Sequence, residues 1–203
     1  PFVHAAEVML DFMAQIRRET GATLEELDLG GGFGIRYTEE DQPKAYGEYM
    51  RLVAGAVKAK AAQLDYPVPY MVIEPGRSVV ASAGITLYTA GHIKEIPGIR
   101  TYVSIDGGMT DNPRYALYQA AYTVVNAVKA DKPADAVVTL AGRCCESGDL
   151  IQENTPVQSC QPGDILAVLA TGAYNYAMSS NYNRLPRPAI VMVKEGEARV
   201  VVK

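Results

Sequence analysis

The order of apolar segments in the first 80 residues constrains the fold most. Residues 24–29 predict a short strand that runs into the glycine cluster 30–34. A helical repeat of apolar residues follows over about 43–64, and residues 70–73 predict a second strand, which ends in Glu74-Pro75-Gly76-Arg77. Strand, helix and strand in this order indicate an α/β fold, in which ligands bind at the carboxyl ends of the strands.

The chain begins at Pro1 and enters a helical pattern at once. Apolar residues recur at three- and four-residue steps, and they are Ala5, Val8, Met9, Phe12, Met13 and Ile16. Since no methionine and no leading segment precede this helix, we expect that further residues lie upstream in the full-length protein.

The pattern changes near residue 78, where short β-branched and aromatic runs separated by turn residues begin. Strands are predicted at 79–88, 102–105, 137–140, 165–169, 189–193 and 198–202. Lys194-Glu195-Gly196-Glu197 predicts the turn of a terminal hairpin. The sequence therefore predicts an α/β part over residues 1–84 and an all-β part over residues 85–203.

Composition excludes several classes of function. A chain of 203 residues with 48% hydrophobic residues can bury a sizeable core. A net charge of −4 argues against nucleic-acid binding, and no block of like charges suggests a membrane-surface patch. Three cysteines do not make a disulfide framework, so we expect a reducing, cytoplasmic location. A small-molecule partner is favoured.

Three local patterns suggest chemistry, each with a structural alternative. Cys145 and Glu146 lie side by side in a polar stretch, where a thiol acts as nucleophile or acid and a carboxylate holds a cation. The glycine cluster could present amides to an anion or simply form a tight turn. Arg77 could bind a phosphate or could pair with Glu74.

Five motifs together resemble those of the diaminopimelate decarboxylases. They occur in the family's order: Gly30-Gly31-Gly32-Phe33-Gly34, Glu74-Pro75-Gly76-Arg77, Asp106-Gly107-Gly108-Met109-Thr110-Asp111-Asn112-Pro113-Arg114, Cys145-Glu146-Ser147-Gly148-Asp149 and Gly172-Ala173-Tyr174. The family has the fold-type III architecture shared with alanine racemase, a TIM-like (β/α)8 barrel followed by a β domain. The resemblance implies that residues 1–84 end the barrel, which binds the cofactor pyridoxal 5'-phosphate, and that residues 85–203 form the C-terminal β-barrel or sandwich domain.

The resemblance also implies a role for each site residue. The residues implied to bind the cofactor are Gly32, Glu74, Pro75, Gly76, Arg77 and Tyr174, with Glu74 at the pyridine nitrogen. The residues implied to bind the substrate are Arg77, Arg114, Tyr118, Glu146 and Tyr174. Cys145 is the implied proton donor after carbon dioxide departs, and no metal is implied. Surface or core roles remain alternatives for Arg114, Tyr118 and Tyr174.

The implied reaction is decarboxylation of meso-2,6-diaminopimelate to L-lysine, in lysine biosynthesis, by a homodimer whose Cys145-Glu146 loop serves the partner's site. The arginines would hold the distal carboxylate and Glu146 the distal ammonium. The cofactor-binding lysine and the ring-stacking histidine lie upstream of Pro1 in this family, and His4 and His92 are expected at the surface. An ornithine- or arginine-type decarboxylase and a non-catalytic homologue or dimerisation module are the alternatives.

Overall fold

The computed structural model describes all residues, 1–203, and they form two compact units. The first unit contains residues 1–35 and 42–79, and the second contains residues 36–41 and 80–203. The first elements are α1 Phe2–Thr20, β1 Glu26–Asp28, α2 Tyr46–Gln63, β2 Tyr70–Val72 and α3 Gly76–Val80. The later elements are β3 Thr86–Ile96, β4 Arg100–Ile105, α4 Arg114–Tyr118, β5 Val124–Asn126, β6 Ala136–Ala141, β7 Leu150–Val157, β8 Ile165–Val168, α5 Asn175–Met178, β9 Ile190–Lys194 and β10 Glu197–Val202.

The first unit is the strand–helix–strand arrangement that the sequence predicts. Strands β1 and β2 pair in parallel, with Leu27 opposite Met71. Its buried core consists of Ala6, Leu10, Met13, Ala14, Leu27, Val53, Val57 and Tyr66. The parallel pairing brings the carboxyl ends of both strands to the same edge, where the glycine cluster and Glu74 follow.

Helix α1 forms where the periodicity predicts it, but the predicted apolar face is wrong in part. Val8, Met9 and Phe12 are exposed, whereas Ala6 and Leu10 are fully buried. The helix carries apolar residues on more than one side, so the packing against α2 and Leu27, rather than the repeat itself, selects the buried face.

The second unit is built on a six-stranded sheet with the order β5-β8-β3-β4-β6-β7. All neighbouring strands are antiparallel except β4 and β6, which are parallel. The edge strands β5 and β7 contact each other, so the sheet curls into a nearly closed barrel. Its buried core includes Tyr88, Val103, Tyr122, Leu140, Ile151, Leu166 and Val168.

The terminal hairpin is confirmed. Strands β9 and β10 pair antiparallel, with Glu197 opposite Lys194. Glu195 and Gly196 both have positive φ, 53° and 82°, as a two-residue hairpin turn requires.

The predicted strand at 79–88 is wrong over residues 79–83, which are helical, and β3 begins only at Thr86. The prediction that residues 85–203 are entirely β is wrong at helices α4 and α5, which are only about one turn long, too short for a helical repeat to be visible. Strand β7 was missed because a polar run, Gln152 to Thr155, and Pro156 separate its buried Ile151 from its buried Val157.

None of the helices has the length and hydropathy needed to cross a bilayer. All three cysteines are free thiols.

Candidate active site

The two loops at the strand ends of the first unit lie against each other. The Leu29 amide donates to the Val72 carbonyl (3.0 Å), and the Glu74 amide donates to the Gly30 carbonyl (2.8 Å). A Cβ at Gly31 would lie 2.5 Å from the Glu74 carbonyl oxygen, so only glycine permits this approach. The structure thus brings Gly32 and the segment Glu74-Pro75-Gly76-Arg77 to one edge.

This edge offers donors and an acceptor to a charged ligand. The amides of Gly31 and Gly32 donate to no acceptor in the chain. The Glu74 side chain is exposed, and Arg77 lies half-buried in α3. Backbone amides and a guanidinium suit a phosphate, and a carboxylate suits a protonated ring nitrogen, so these residues fit pyridoxal phosphate.

Aromatic packing anchors the glycine loop to the helices. Phe33 is 2% exposed, and its ring stacks on Phe2 of α1 at a centroid distance of 4.9 Å. It also meets Tyr49 of α2 edge-on at 5.6 Å. Because Phe33 follows Gly32 directly, this packing fixes where the Gly31 and Gly32 amides point.

In the second unit, Arg114 is the centre of an aromatic cluster. Its guanidinium lies over the rings of Tyr174 (5.5 Å), Tyr37 (5.8 Å) and Tyr118 (5.9 Å). Only 7% of Arg114 is exposed, so the solvated-surface alternative is wrong. Tyr118 and Tyr174 are 63% and 42% exposed, so neither is a core aromatic.

Several polar atoms in this cluster have no hydrogen-bond partner. They are Arg114 Nε and the hydroxyls of Tyr37 and Tyr122, all of them buried. Arg114 forms no ion pair with any carboxylate of the chain. Burial raises the pKa of Tyr122, partly offset by the nearby Arg114 charge, so Tyr122 stays a neutral hydroxyl. A buried guanidinium without a counter-charge is costly, and an anionic ligand would compensate it.

Backbone constraints hold Tyr174 in place. The Thr171 amide donates to the Gly84 carbonyl (2.9 Å), and the Gly172 amide donates to the Ala81 carbonyl (2.9 Å). A Cβ at Gly172 would lie 2.1 Å from the Val80 carbonyl oxygen, which explains the glycine in the Gly172-Ala173-Tyr174 motif. Tyr174 itself has φ of 70°, an unfavourable conformation for a tyrosine and one found at sites under functional constraint.

Cys145 and Glu146 lie in an exposed loop between β6 and β7. The Tyr182 hydroxyl donates to Glu146 Oε1, and this hydrogen bond raises the pKa of Tyr182. The neighbouring Cys144 is half-buried, and burial together with the Asp149 carboxylate raises the pKa of its thiol. The two adjacent thiols therefore differ: Cys145 is presented to solvent, while Cys144 is held as a neutral thiol.

Sequence reasoning missed four residues of these clusters: Tyr37, Tyr122, Tyr182 and Asp149. The first three lie outside the five motifs, and only the folded chain brings them to Arg114 or Glu146. Asp149 ends the Cys145-Glu146-Ser147-Gly148-Asp149 motif, so its position there was the signal that could have found it.

Comparisons with known proteins define the class first. Residues 1–81 match the pyridoxal-binding domain of the pyridoxal-dependent decarboxylases. The chain is 49% identical to the diaminopimelate decarboxylase of Bacillus subtilis and 46% identical to that of Halalkalibacterium halodurans, over 100% of this chain and 46% of each relative. A crystal structure of diaminopimelate decarboxylase from M. jannaschii, in complex with L-lysine, superimposes with a TM-score of 0.87 at 32% identity, over 100% of this chain and 45% of that chain.

The chain is therefore similar over its whole length to diaminopimelate decarboxylases, as the motif order indicates, and residues 1–81 match the pyridoxal-binding domain of the pyridoxal-dependent decarboxylases. The structural neighbours are fold-type III pyridoxal-dependent decarboxylases, and the second unit has the nearly closed barrel described above. The cofactor of the family is pyridoxal phosphate, which agrees with the sequence prediction. The chain spans about half the length of the relatives it matches.

Proposed function

We propose that the full-length protein containing this chain decarboxylates meso-2,6-diaminopimelate to L-lysine and carbon dioxide, as a cytoplasmic homodimer in lysine biosynthesis. The observation that carries the proposal is the buried Arg114, which has three tyrosine rings around it and no carboxylate partner in the chain. A substrate with a distal carboxylate supplies the missing anion, whereas the diamine-forming substrates of ornithine-type enzymes have no such group.

Arg114, Arg77, Tyr118 and Tyr174 would bind the distal carboxylate. The orphaned Nε of Arg114 supports this role, because a carboxylate satisfies a guanidinium through two parallel hydrogen bonds. The exposed hydroxyl-bearing rings of Tyr118 and Tyr174 flank the same guanidinium.

Glu146 would face the distal ammonium, and Cys145 would return the proton to the substrate carbon. Both lie in the exposed loop, consistent with a loop that completes the site of a partner subunit. The hydrogen bond from Tyr182 leaves Glu146 Oε2 available to accept from an ammonium. A thiol that donates a proton at this point acts as the general acid of the reaction.

Gly32, Glu74, Pro75, Gly76, Arg77 and Tyr174 would hold pyridoxal 5'-phosphate, which supplies an electron sink when bound. The amides of Gly31 and Gly32, which donate to no acceptor in the chain, support the proposal that the glycine loop binds the phosphate. In the proposed domain division, residues 1–84 form the C-terminal part of a TIM-like barrel, and residues 85–203 form the β domain.

The test is carbon dioxide release by the purified full-length protein, with its visible spectrum recorded on the same sample. We expect a cofactor band and turnover of meso-2,6-diaminopimelate, with much slower turnover of L-ornithine and L-arginine. Preference for ornithine or arginine would refute the proposed substrate. A cofactor-free protein without turnover would instead indicate a non-catalytic homologue.

A further inference from the structure

We infer that Asp149 is the positioning residue of the Cys145-Glu146 loop. Its carboxylate joins two loops of the second unit, residues 107–111 and residues 142–149, into a connection that we call the Asp149 clasp. The inference rests on the proposed function, because it assumes that this loop presents a proton donor and an ammonium-binding carboxylate.

Both oxygens of the Asp149 side chain are occupied. Oδ1 accepts from the Met109 amide (2.6 Å), and Oδ2 accepts from the Cys144 amide (2.7 Å). Only 3% of Asp149 is exposed, so these charge-assisted hydrogen bonds lie away from water, where they are strongest. The carboxylate therefore fixes the backbone of the residue directly before Cys145 to the neighbouring loop.

The backbone of Asp149 closes the same loop from its other end. The Gly142 amide donates to the Asp149 carbonyl (2.8 Å), and the Asp149 amide donates to the Glu146 carbonyl (3.0 Å). The Arg143 amide adds a bond to the Gly107 carbonyl (3.2 Å). The amides of Cys145 and Glu146 themselves donate to no acceptor, so the tip of the loop depends on these flanking bonds.

Two glycines make room for the carboxylate. A Cβ at Gly142 would lie 2.2 Å from Asp149 Oδ1, and a Cβ at Gly108 would lie 2.4 Å from the same atom. One glycine belongs to each of the two loops that the clasp joins. Glycine, which has no side chain, therefore stands on both sides of the Asp149 carboxylate, and any other residue at either position would clash with it. This indicates that the chain is adapted to hold the carboxylate here rather than in an incidental contact.

The neighbouring buried carboxylate, Asp111, serves a different purpose. It accepts from the Tyr88 hydroxyl and from the Gly108 amide (3.0 Å), both outside the Cys145-Glu146 loop. Asp149 is consequently the one carboxylate that bonds to both loops.

The decisive variant is Asp149→Asn in the full-length holoprotein, because it keeps the shape and removes one acceptor and the charge. Asp135→Asn is the matched control, since Asp135 also accepts from a backbone amide, that of Ser159 (2.6 Å), in the same unit. We expect Asp149→Asn to speed hydrogen exchange of the Met109 and Cys144 amides and to leave the exchange of strands β3 and β8 unchanged. We expect the control to leave both regions of the clasp unchanged.

A double-mutant cycle with Cys145→Ala separates positioning from general folding. We expect Asp149→Asn to lower kcat about tenfold or more in the wild-type background and by less than about twofold when Cys145 is already alanine. An equal loss in both backgrounds would overturn the inference. Rapid exchange of the Met109 and Cys144 amides in the unmodified protein would also overturn it, without the need for any variant to fold.

The two proposals fail in different ways. Absence of turnover in the unmodified holoprotein would contradict the proposed function, while the hydrogen-exchange comparison would still decide whether the clasp exists. Normal turnover by Asp149→Asn in an active enzyme would contradict the positioning role alone.

Discussion

Replacement of Arg114 by methionine separates substrate recognition from fold stability. Methionine keeps much of the length of the side chain and removes its charge and its hydrogen-bond donors. Arg114 is buried among Tyr37, Tyr118 and Tyr174 and forms no ion pair, so the chain itself gives it no carboxylate to lose.

Two opposing contributions should keep the change in the free energy of unfolding small: the loss of cation–π contacts and the removal of a buried charge. Three cation–π contacts contribute about 0.5–2 kcal/mol each, while the desolvation of an unpaired charge costs several kcal/mol. We therefore expect the free energy of unfolding to change little or to rise, which a chemical denaturation curve of the full-length protein would measure. Severe destabilisation would show that Arg114 is a structural residue.

The effect on catalysis should be large because the substrate carboxylate loses its buried partner. Truncation of one member of a desolvated charge pair costs about 2–5 kcal/mol, which corresponds to a fall in kcat/KM of about 30-fold to several thousandfold. The assay compares kcat/KM for meso-2,6-diaminopimelate with the inhibition constant of D-lysine, which lacks the distal carboxylate. We expect the inhibition constant to stay within about threefold.

Arg199→Met is the matched control, because Arg199 lies exposed on β10. The same chemical change there should leave the free energy of unfolding, kcat/KM for meso-2,6-diaminopimelate and the inhibition constant of D-lysine unaltered. An equal loss for the diaminopimelate and for D-lysine would refute the argument, since the loss would then not depend on the distal carboxylate.

Three further predictions concern other residues. Cys145→Ala should slow turnover strongly and leave the cofactor band intact. As the control, Cys160→Ala, which removes a thiol that donates a hydrogen bond to the Gln158 carbonyl, should retain turnover in the same assay. Glu146→Gln should weaken recognition of the distal ammonium by about 1.5–3 kcal/mol, seen as a higher KM; an equal effect on a substrate without that ammonium would contradict the role. The hydrogen bond from Tyr115 and the charge of Arg100 lower the pKa of Glu153, so its ionised form should stabilise the fold above pH 4.5, and this stability should be lost as the pH falls through the lowered pKa. Glu153→Gln should flatten that acid limb in melting curves recorded against pH, and an unchanged limb would exclude Glu153 as its source.

The sequence by itself determined the elements whose cause is local. The helical repeat predicts α1 and α2, the short apolar runs predict β1 and β2, and the Glu195-Gly196 pair predicts the terminal turn. Motif order also indicated the family, which the comparisons confirm. The glycine loop and Glu74 could be placed at one edge in advance, because parallel strands joined by a helix end on the same side.

Only the tertiary structure decided which side chains meet. Tyr37 reaches Arg114 from 77 residues away along the chain, and Tyr182 reaches Glu146 from 36 residues away; neither pairing has a local sequence signal. The buried face of α1 and the polar edge strand β7 were likewise set by their neighbours. Local propensity acts over a few residues, whereas a buried guanidinium, a clasped loop or a chosen helix face depends on free energies of contact that exist only when distant segments pack together.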